Sequence, residues 1–495
     1  MKFYIKPVSH KACMKSNYDV IIVGAGPAGL YLGTQLASLE KRILIMDKQE
    51  TLSPKAEYTM VKSDFDALED MFEIKYDPDE QVIYGNDANI FHNSTQKVHL
   101  SILDKESHAM NYLDFLFFNL DSQKFLERLV DKYLDQENYA DLALGTEYIS
   151  HKQKQGRGVV VTAENANRKK IYKTKLLIDA SGKGIQDYPE PFLKYPIVGG
   201  LLKIKEPLPN RENSWKPVID KKGYFTNDMI FGAMDSASWE IPFIDAEGNI
   251  YRDMANRPII PGWMVCPISK NEAIIWLVCY QGQGTPDIRL EHLWIHFNKM
   301  LPKMFNVENV SDIGDLIKRQ GVPAASDPFS PIKRSLEDRV YGIGGAVNPG
   351  DILTVMPLAN MFREHKSMAS SLIKLIDEDK LSQENLNSID FSTSQLELWR
   401  RIVGVFYPIL ISQDKDLWKR IFNLIDKYPE LASHVIERHS PGFESSKGGI
   451  LEKARKAGKA VKLMCEAPLF LKLYFKLPYP GINKKLSFLK KSLLN

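Results

Sequence analysis

The 495-residue sequence predicts an α/β fold in two lobes followed by a helical, basic C-terminal region, and three observations carry that prediction. An apolar run, Tyr18 to Val23, ends at a glycine-rich turn and leads into a helix-like segment. Residues 197–334 read as short apolar runs punctuated by Gly, Pro and Asn, which is strand-and-turn punctuation. Beyond about residue 385 the segments LELWRRIVGVFYPIL and LWKRIFNLIDKYPELA return to helical spacing. Apolar content of 44% with 26% charged residues is that of a packed globular chain. The length exceeds what one core usually serves, so two lobes and an appendage are expected.

The first element is the strand YDVIIV, followed by the turn GAGPAG with Gly24, Gly26 and Gly29, a helix, and a second strand, RILIMD, that stops at Asp47. Each glycine has its own task. The first permits a tight turn, the second lets a pyrophosphate approach the backbone, and the third allows the helix to pack closely on the strand. Gly33 keeps the same helix face small one turn on. The unpaired N–H groups at the helix start, in the segment Gly26, Pro27, Ala28 and Gly29, favour an anion. Asp47, with Lys48 beside it, ends the second strand 18 residues after Gly29, where a carboxylate can take ribose hydroxyls. This unit predicts a Rossmann-like dinucleotide-binding lobe.

Further along, NLDSQKFLERLVDKYL has the spacing of an amphipathic helix capped by Asp121 or Ser122, and GVVVTAE and KLLIDASG read as strands. The expected organisation is a cofactor lobe over 17–200, with 51–114 partly in the second lobe, a sheet-rich substrate lobe over 201–334, a segment over 335–380 that completes the first lobe, and a helical region over 381–495.

DVIIVGAGPAGLYLGTQLA, LLIDASGKG at 176–184 and RVYGIGGAVNPGD at 339–351 resemble the three FAD-contacting segments of flavoproteins related to p-hydroxybenzoate hydroxylase. Within that group the chain is most similar to geranylgeranyl reductases, lycopene cyclases and flavin-dependent halogenases. The resemblance implies FAD as cofactor, with NAD(P)H or another external electron donor. It places Asp179, Ser181 and Gly182 near the adenosine half, and the loop holding Gly344, Gly345, Asn348, Pro349 and Gly350 by the ribityl chain and flavin ring. The family's Gly-Asp pair is Gly344-Gly345 here, and Asp351 supplies a second Gly-Asp pair six residues later, or is an ordinary turn residue.

SWEIP, with Trp239, resembles half of a halogenase signature, and PGWMVCP, with Trp263 and Pro267, resembles the aromatic-and-proline strand of geranylgeranyl reductases. These three residues are expected to line the substrate side of the flavin and count as the catalytic candidates; core aromatics of the sheet lobe are the alternative reading. Lys55 and Lys62 are the lysines that fall in order for a halogenase role.

The resemblance implies an enzyme acting on a small hydrophobic or lipid substrate, first of all one that reduces isoprenoid carbon–carbon double bonds. The alternatives are an oxygen-using halogenase or monooxygenase, a redox-neutral lycopene-cyclase-like enzyme, and a non-catalytic escort of a lipidated partner. No HExxH, GxSxG or P-loop pattern occurs, which sets aside zinc peptidase, nucleophile-elbow hydrolase and P-loop readings.

Cys13, Cys266, Cys279 and Cys465 have no CxxC spacing, so neither a zinc site nor a disulfide framework is expected, and a reducing, cytoplasmic setting fits. No run is long and apolar enough to span a bilayer. The net charge of +3 hides an asymmetry: residues 446–495 hold twelve Lys or Arg against two Glu, net +10, while the remainder holds 53 basic and 60 acidic residues, net −7. Leu, Phe and Tyr interleave with these lysines, a pattern that suits either an anionic membrane surface or a packed, solvated helix. Nucleic acid is not expected, because nothing else in the chain is basic.

Overall fold

The computed structural model of the chain describes residues 16–389 apart from 55–56, 62–67, 70–90, 102–109, 137, 155–157, 183, 190–192, 209–218, 233–242, 245–246, 253–258, 260, 280, 282–287, 327–332 and 348–356, together with 419–420, 423, 483 and 486. The strands are β1 (Asn17–Val23), β2 (Ile43–Met46), β3 (Tyr58–Val61), β4 (Phe91–Ser101), β5 (Met110–Leu120), β6 (Ala140–Ala143), β7 (Thr146–Lys154), β8 (Gly158–Asn165), β9 (Arg168–Asp179), β10 (Leu193–Ile204), β11 (Met229–Gly232), β12 (Gly262–Ser269), β13 (Glu272–Val278), β14 (Gly314–Ser326) and β15 (Val340–Gly342). The helices are α1 (Pro27–Ala37), α2 (Ser122–Leu134), α3 (Leu290–Met304), α4 (Pro357–Asp377) and α5 (Gln383–Asn387).

The first sheet has the order β6-β2-β1-β9-β8-β7, with β15 joined to the C-terminal end of β9. β6, β2, β1, β9 and β15 run parallel, whereas β7 and β8 form an antiparallel meander on β9. Burial explains the apolar runs: Val20 to Val23, Ile43 to Met46 and Leu176 to Ile178 are enclosed on both faces, as strands of a parallel sheet are. α1 reaches the sheet through Gly33, where a Cβ would come within 2.7 Å of Ile45 Cδ1 and 3.2 Å of a Tyr133 ring carbon. For α2 the cap is Asp121 rather than Ser122, its carboxylate accepting from the Lys124 N–H at 3.2 Å. α2 and α4 pack with α1 in one core through Phe125, Tyr31 and Phe362, whose rings meet edge to face in the pairs Tyr31–Phe362 and Phe125–Phe362.

The second sheet has the order β14-β10-β13-β12-β11-β4-β5-β3. All of its pairs are antiparallel except β11 with β4. One face, with Val198, Val265, Ile275 and Leu277, is covered by α3. Over the other face the sheet rolls up. Asn119 on β5 donates to the Pro267 carbonyl on β12 at 3.2 Å, although two strands lie between them in the sheet. The edges also meet, since Glu57 just before β3 donates its N–H to Gln320 Oε1 on β14 at 2.7 Å and pairs with Lys318 at 3.0 Å.

β10 begins at Leu193 and belongs to the second sheet, so that sheet starts before residue 200, because the apolar run 197–202 pairs with β13 and β14. The stretch 201–334 is not all strand: α3 forms where Leu290, Leu293, Phe297, Met300 and Leu301 recur at helical spacing and bury one face. Among the described residues no helix is long and apolar enough to cross a membrane.

Candidate functional site

The C-terminal ends of four parallel strands are stitched into one row. Gly24 donates its N–H to Met46 O at 2.8 Å, Ala180 to Val23 O at 2.9 Å, and Ile343 to Asp179 O at 2.9 Å. Three loops therefore leave the sheet side by side, at 24–29, 180–185 and 343–347. In open α/β sheets this carboxyl-end crevice is where ligands bind.

Within the first loop the glycines are not equivalent. Gly24 has φ +112°, and a Cβ on it would run into the Ala180 carbonyl; a Cβ on Gly29 would run into the Gly24 carbonyl. Gly26 has ordinary extended backbone, φ −75° and ψ 177°, and a Cβ there would meet nothing within 4 Å. Packing thus demands two of the glycines, while the third leaves a cradle that a side chain would fill. α1 starts beyond it at Pro27, with no side-chain cap on Gly26 and no acidic residue in the first turn. Its free N–H groups and positive dipole end fit a pyrophosphate.

Asp47 stands at the edge of this cradle, half-buried, with Oδ2 accepting from the Ala25 N–H and Oδ1 from the Gln49 N–H, both at 2.9 Å. Each oxygen keeps a second lone pair for a hydroxyl. Lys48 beside it is exposed.

Asp179 holds the second loop together. It is fully buried, and its carboxylate accepts from Ile185 N at 2.6 Å, Ser181 Oγ at 2.8 Å and Ser181 N at 3.1 Å. Burial pushes its carboxyl up while the Ile185 and Ser181 hydrogen bonds pull it down. It shapes the loop that carries Ser181 and Gly182.

The third loop closes onto the other two. Gly344 has φ +57° and opens a short 3-10 turn, and a Cβ on it would come 2.9 Å from Ala28 Cβ. Gly345 differs, because a Cβ there would sit 3.4 Å from Gly182 Cα, which is tight but not excluded. Trp239, Asn348, Pro349, Gly350, Asp351, Lys55 and Lys62 lie outside the described residues.

Strand register fixes the face on which Trp263 and Pro267 lie. Trp263 pairs with Leu277 and is fully buried in the core beneath α3, and Pro267 pairs with Ala273 of that same face. Their neighbours Met264 and Cys266 point to the rolled side together with Trp276, so the core-aromatic reading holds for Trp263. Trp276 lies across Gly199, where a Cβ would come 2.5 Å from indole Cε3.

Sequence reasoning missed a buried polar group behind the third loop. Arg334 and Glu364 form an ion pair at 2.7 Å with side-chain exposures of 2% and 5%. Next to it, His365 stacks on Tyr31 of α1, with ring centroids 6.0 Å apart. Burial, and then the Arg334 charge, push its imidazole down to about 3, with the Ala28 backbone acting the other way, so it is neutral. The available signal was that Glu364 and His365 fall on the buried stripe of α4.

Residues 19–185 match the family model of FAD-dependent oxidoreductases. Among solved structures, the chain is similar to a geranylgeranyl bacteriochlorophyll reductase-like protein from Thermoplasma acidophilum, at 13% identity and a TM-score of 0.60 over 86% of this chain and 96% of that one. It is similar to halogenase PltM, solved with phloroglucinol and FAD, at 15% identity and a TM-score of 0.56 over 96% of each chain. It is also similar to p-nitrophenol 4-monooxygenase PnpA from Pseudomonas putida, at 11% identity and a TM-score of 0.55 over 86% of this chain and 100% of that one. At such identities the likeness is one of fold. No curated protein matches the chain. The match over residues 19–185, on a fold with this cradle, supports an FAD-dependent oxidoreductase. Its reaction is a separate question.

Proposed function

We propose that the protein reduces carbon–carbon double bonds of an isoprenoid lipid. The observation that carries this reading is the rolled face of the second sheet, where Val98, Phe117, Met229, Met264, Cys266 and Trp276 form a hydrophobic cluster. Such a lining suits an apolar chain. Burial pushes the Cys266 thiol up to about 12, so it serves there as an apolar group. Likeness to the reductase-like fold supports the same choice.

FAD, when bound, supplies the hydride, replenished by NAD(P)H or another external donor. The chain holds it by the Gly26, Pro27, Ala28 and Gly29 backbone at the pyrophosphate, by Asp47, Ser181 and Gly182 toward the adenosine, and by Gly344 and Gly345 toward the ribityl chain. Since position 345 has room for a Cβ, Gly345→Asp should fold and tighten FAD binding about 2- to 10-fold, the value of one added hydrogen bond. Unchanged or weaker affinity in a titration would place the ribityl contact elsewhere.

A second reading, a halogenase or monooxygenase, is favoured by the likeness to PltM and PnpA. Oxygen separates the two. A geranylgeranyl lipid should be reduced by the donor-supplied enzyme without oxygen, and a product formed only when oxygen is present would replace the first reading with the second.

The basic tail extends the reading to a lipid-bearing surface, since its net charge of +10 over residues 446–495 suits anionic headgroups. The full chain should co-sediment with anionic liposomes, less so as salt rises, and a variant truncated after Ser445 should not. Equal sedimentation of both would remove the membrane from the proposal.

A further inference from the structure

We infer that Glu364 and His365, with Arg334, form a positioning device that sets the glycine-rich turn and the Gly344 turn at the spacing FAD requires. This rests on the FAD reading of the site.

Two adjacent residues of one helix reach both halves of the cradle. His365 lies against the fingerprint helix, stacked on Tyr31 and in contact with the Ala28 backbone. Glu364 holds Arg334, and Arg334 brackets the last residue of β15: its carbonyl accepts from Gly342 N at 2.6 Å and its Nη1 donates to Gly342 O at 3.4 Å. Two residues beyond Gly342 stands Gly344, where an added Cβ would come 2.9 Å from Ala28 Cβ. The start of the Gly344 turn and the fingerprint helix are thereby both tied to the same adjacent pair on α4.

Arg334 has little freedom to move. Asn387 Oδ1 at the end of α5 accepts from the N–H groups of Arg334 and Ser335, at 3.1 and 3.0 Å. Gly342 is equally fixed, because Tyr188 and Val347 fill the space a Cβ would need. A charge pair this deep is weak evidence for stability, since two apolar residues of similar volume often serve as well. What apolar side chains cannot reproduce is the directional grip on the Gly342 peptide.

That difference supplies the test. Arg334→Met combined with Glu364→Leu leaves no unpaired buried charge, so the full-length variant should melt within a few degrees of wild type without FAD. Its affinity for FAD, measured by titration of the flavin fluorescence, should fall about tenfold, the effect of ~1.4 kcal/mol of misplacement. The visible spectrum of the bound flavin should shift as well, which a purely structural role would not cause. A folded double variant with wild-type affinity and spectrum would overturn the proposal. If the double variant does not fold, His365→Ala, which leaves the ion pair in place, decides: about tenfold weaker binding supports the device, and wild-type binding overturns it. Wild-type protein that binds no FAD would instead remove the FAD reading.

Discussion

Gly26→Val should leave the protein's stability nearly unchanged and remove its flavin, whereas Gly29→Val should destabilise the fold. The two positions sit three residues apart in one turn, yet they answer to different demands. At Gly26 the backbone is extended and a Cβ meets nothing within 4 Å, so a side chain should change stability by about 1 kcal/mol or less. That side chain projects from the uncapped start of α1, where the pyrophosphate must approach. Affinity for FAD should drop ~100-fold or more, about 2.7 kcal/mol. At Gly29 the added carbon would meet the Gly24 carbonyl, and overpacking of this kind costs ~1–3 kcal/mol or more because the turn cannot move away. Melting curves and FAD titrations of the two variants separate the effects. A Gly26→Val protein that binds FAD as wild type does would mean the cradle holds something else.

A second large effect is expected from acid. His296 and His365 are both enclosed, with values pushed by burial to about 4 and about 3 from an ordinary 6.5. His296 packs on Phe243, has Lys299 as its nearby charge, and neither ring nitrogen has a hydrogen-bond partner; His365 faces Arg334, beside its neighbour Glu364. Because the folded values lie below the unfolded one, the unfolded chain takes up the protons first. Their contribution is therefore whole above pH 6.5 and is lost as pH falls from 6.5 toward 4. Each histidine should contribute a slope of about 1.4 kcal/mol per pH unit in that window, so about 2.7 together. Denaturant unfolding across the window measures it. His296→Leu should raise stability, by more at acid pH, and halve the slope; a variant with the wild-type slope would show that His296 is not carried neutral in the fold.

Much of this was legible in the residues because local chemistry dictated it. GAGPAG between two apolar runs has few other uses, and Gly24, Gly29 and Gly33 are each demanded by a neighbouring atom in the fold. Asp121 could be anticipated because a helix start needs a side-chain acceptor. The face on which Trp263 lies could not be read from the strand alone. An aromatic strand announces its two faces, but which face meets a helix and which is rolled inward depends on strands far away in sequence, here β5 and β14. α3 was hidden by tryptophan, histidine and phenylalanine that read as strand residues until the 3.6 period is counted. The Arg334–Glu364 pair joins residues 30 apart, and its one mark is that Glu364 falls on the buried stripe of α4, with nothing to name its partner.

The most direct measurement is the uptake of FAD by the full-length wild-type protein, followed by visible absorbance and by melting temperature. One FAD bound per chain, with a melting temperature that rises with FAD concentration, is the expected result. A folded protein that takes up no FAD, and whose melting is indifferent to it, would contradict the assignment of the glycine-rich turn and everything built upon it.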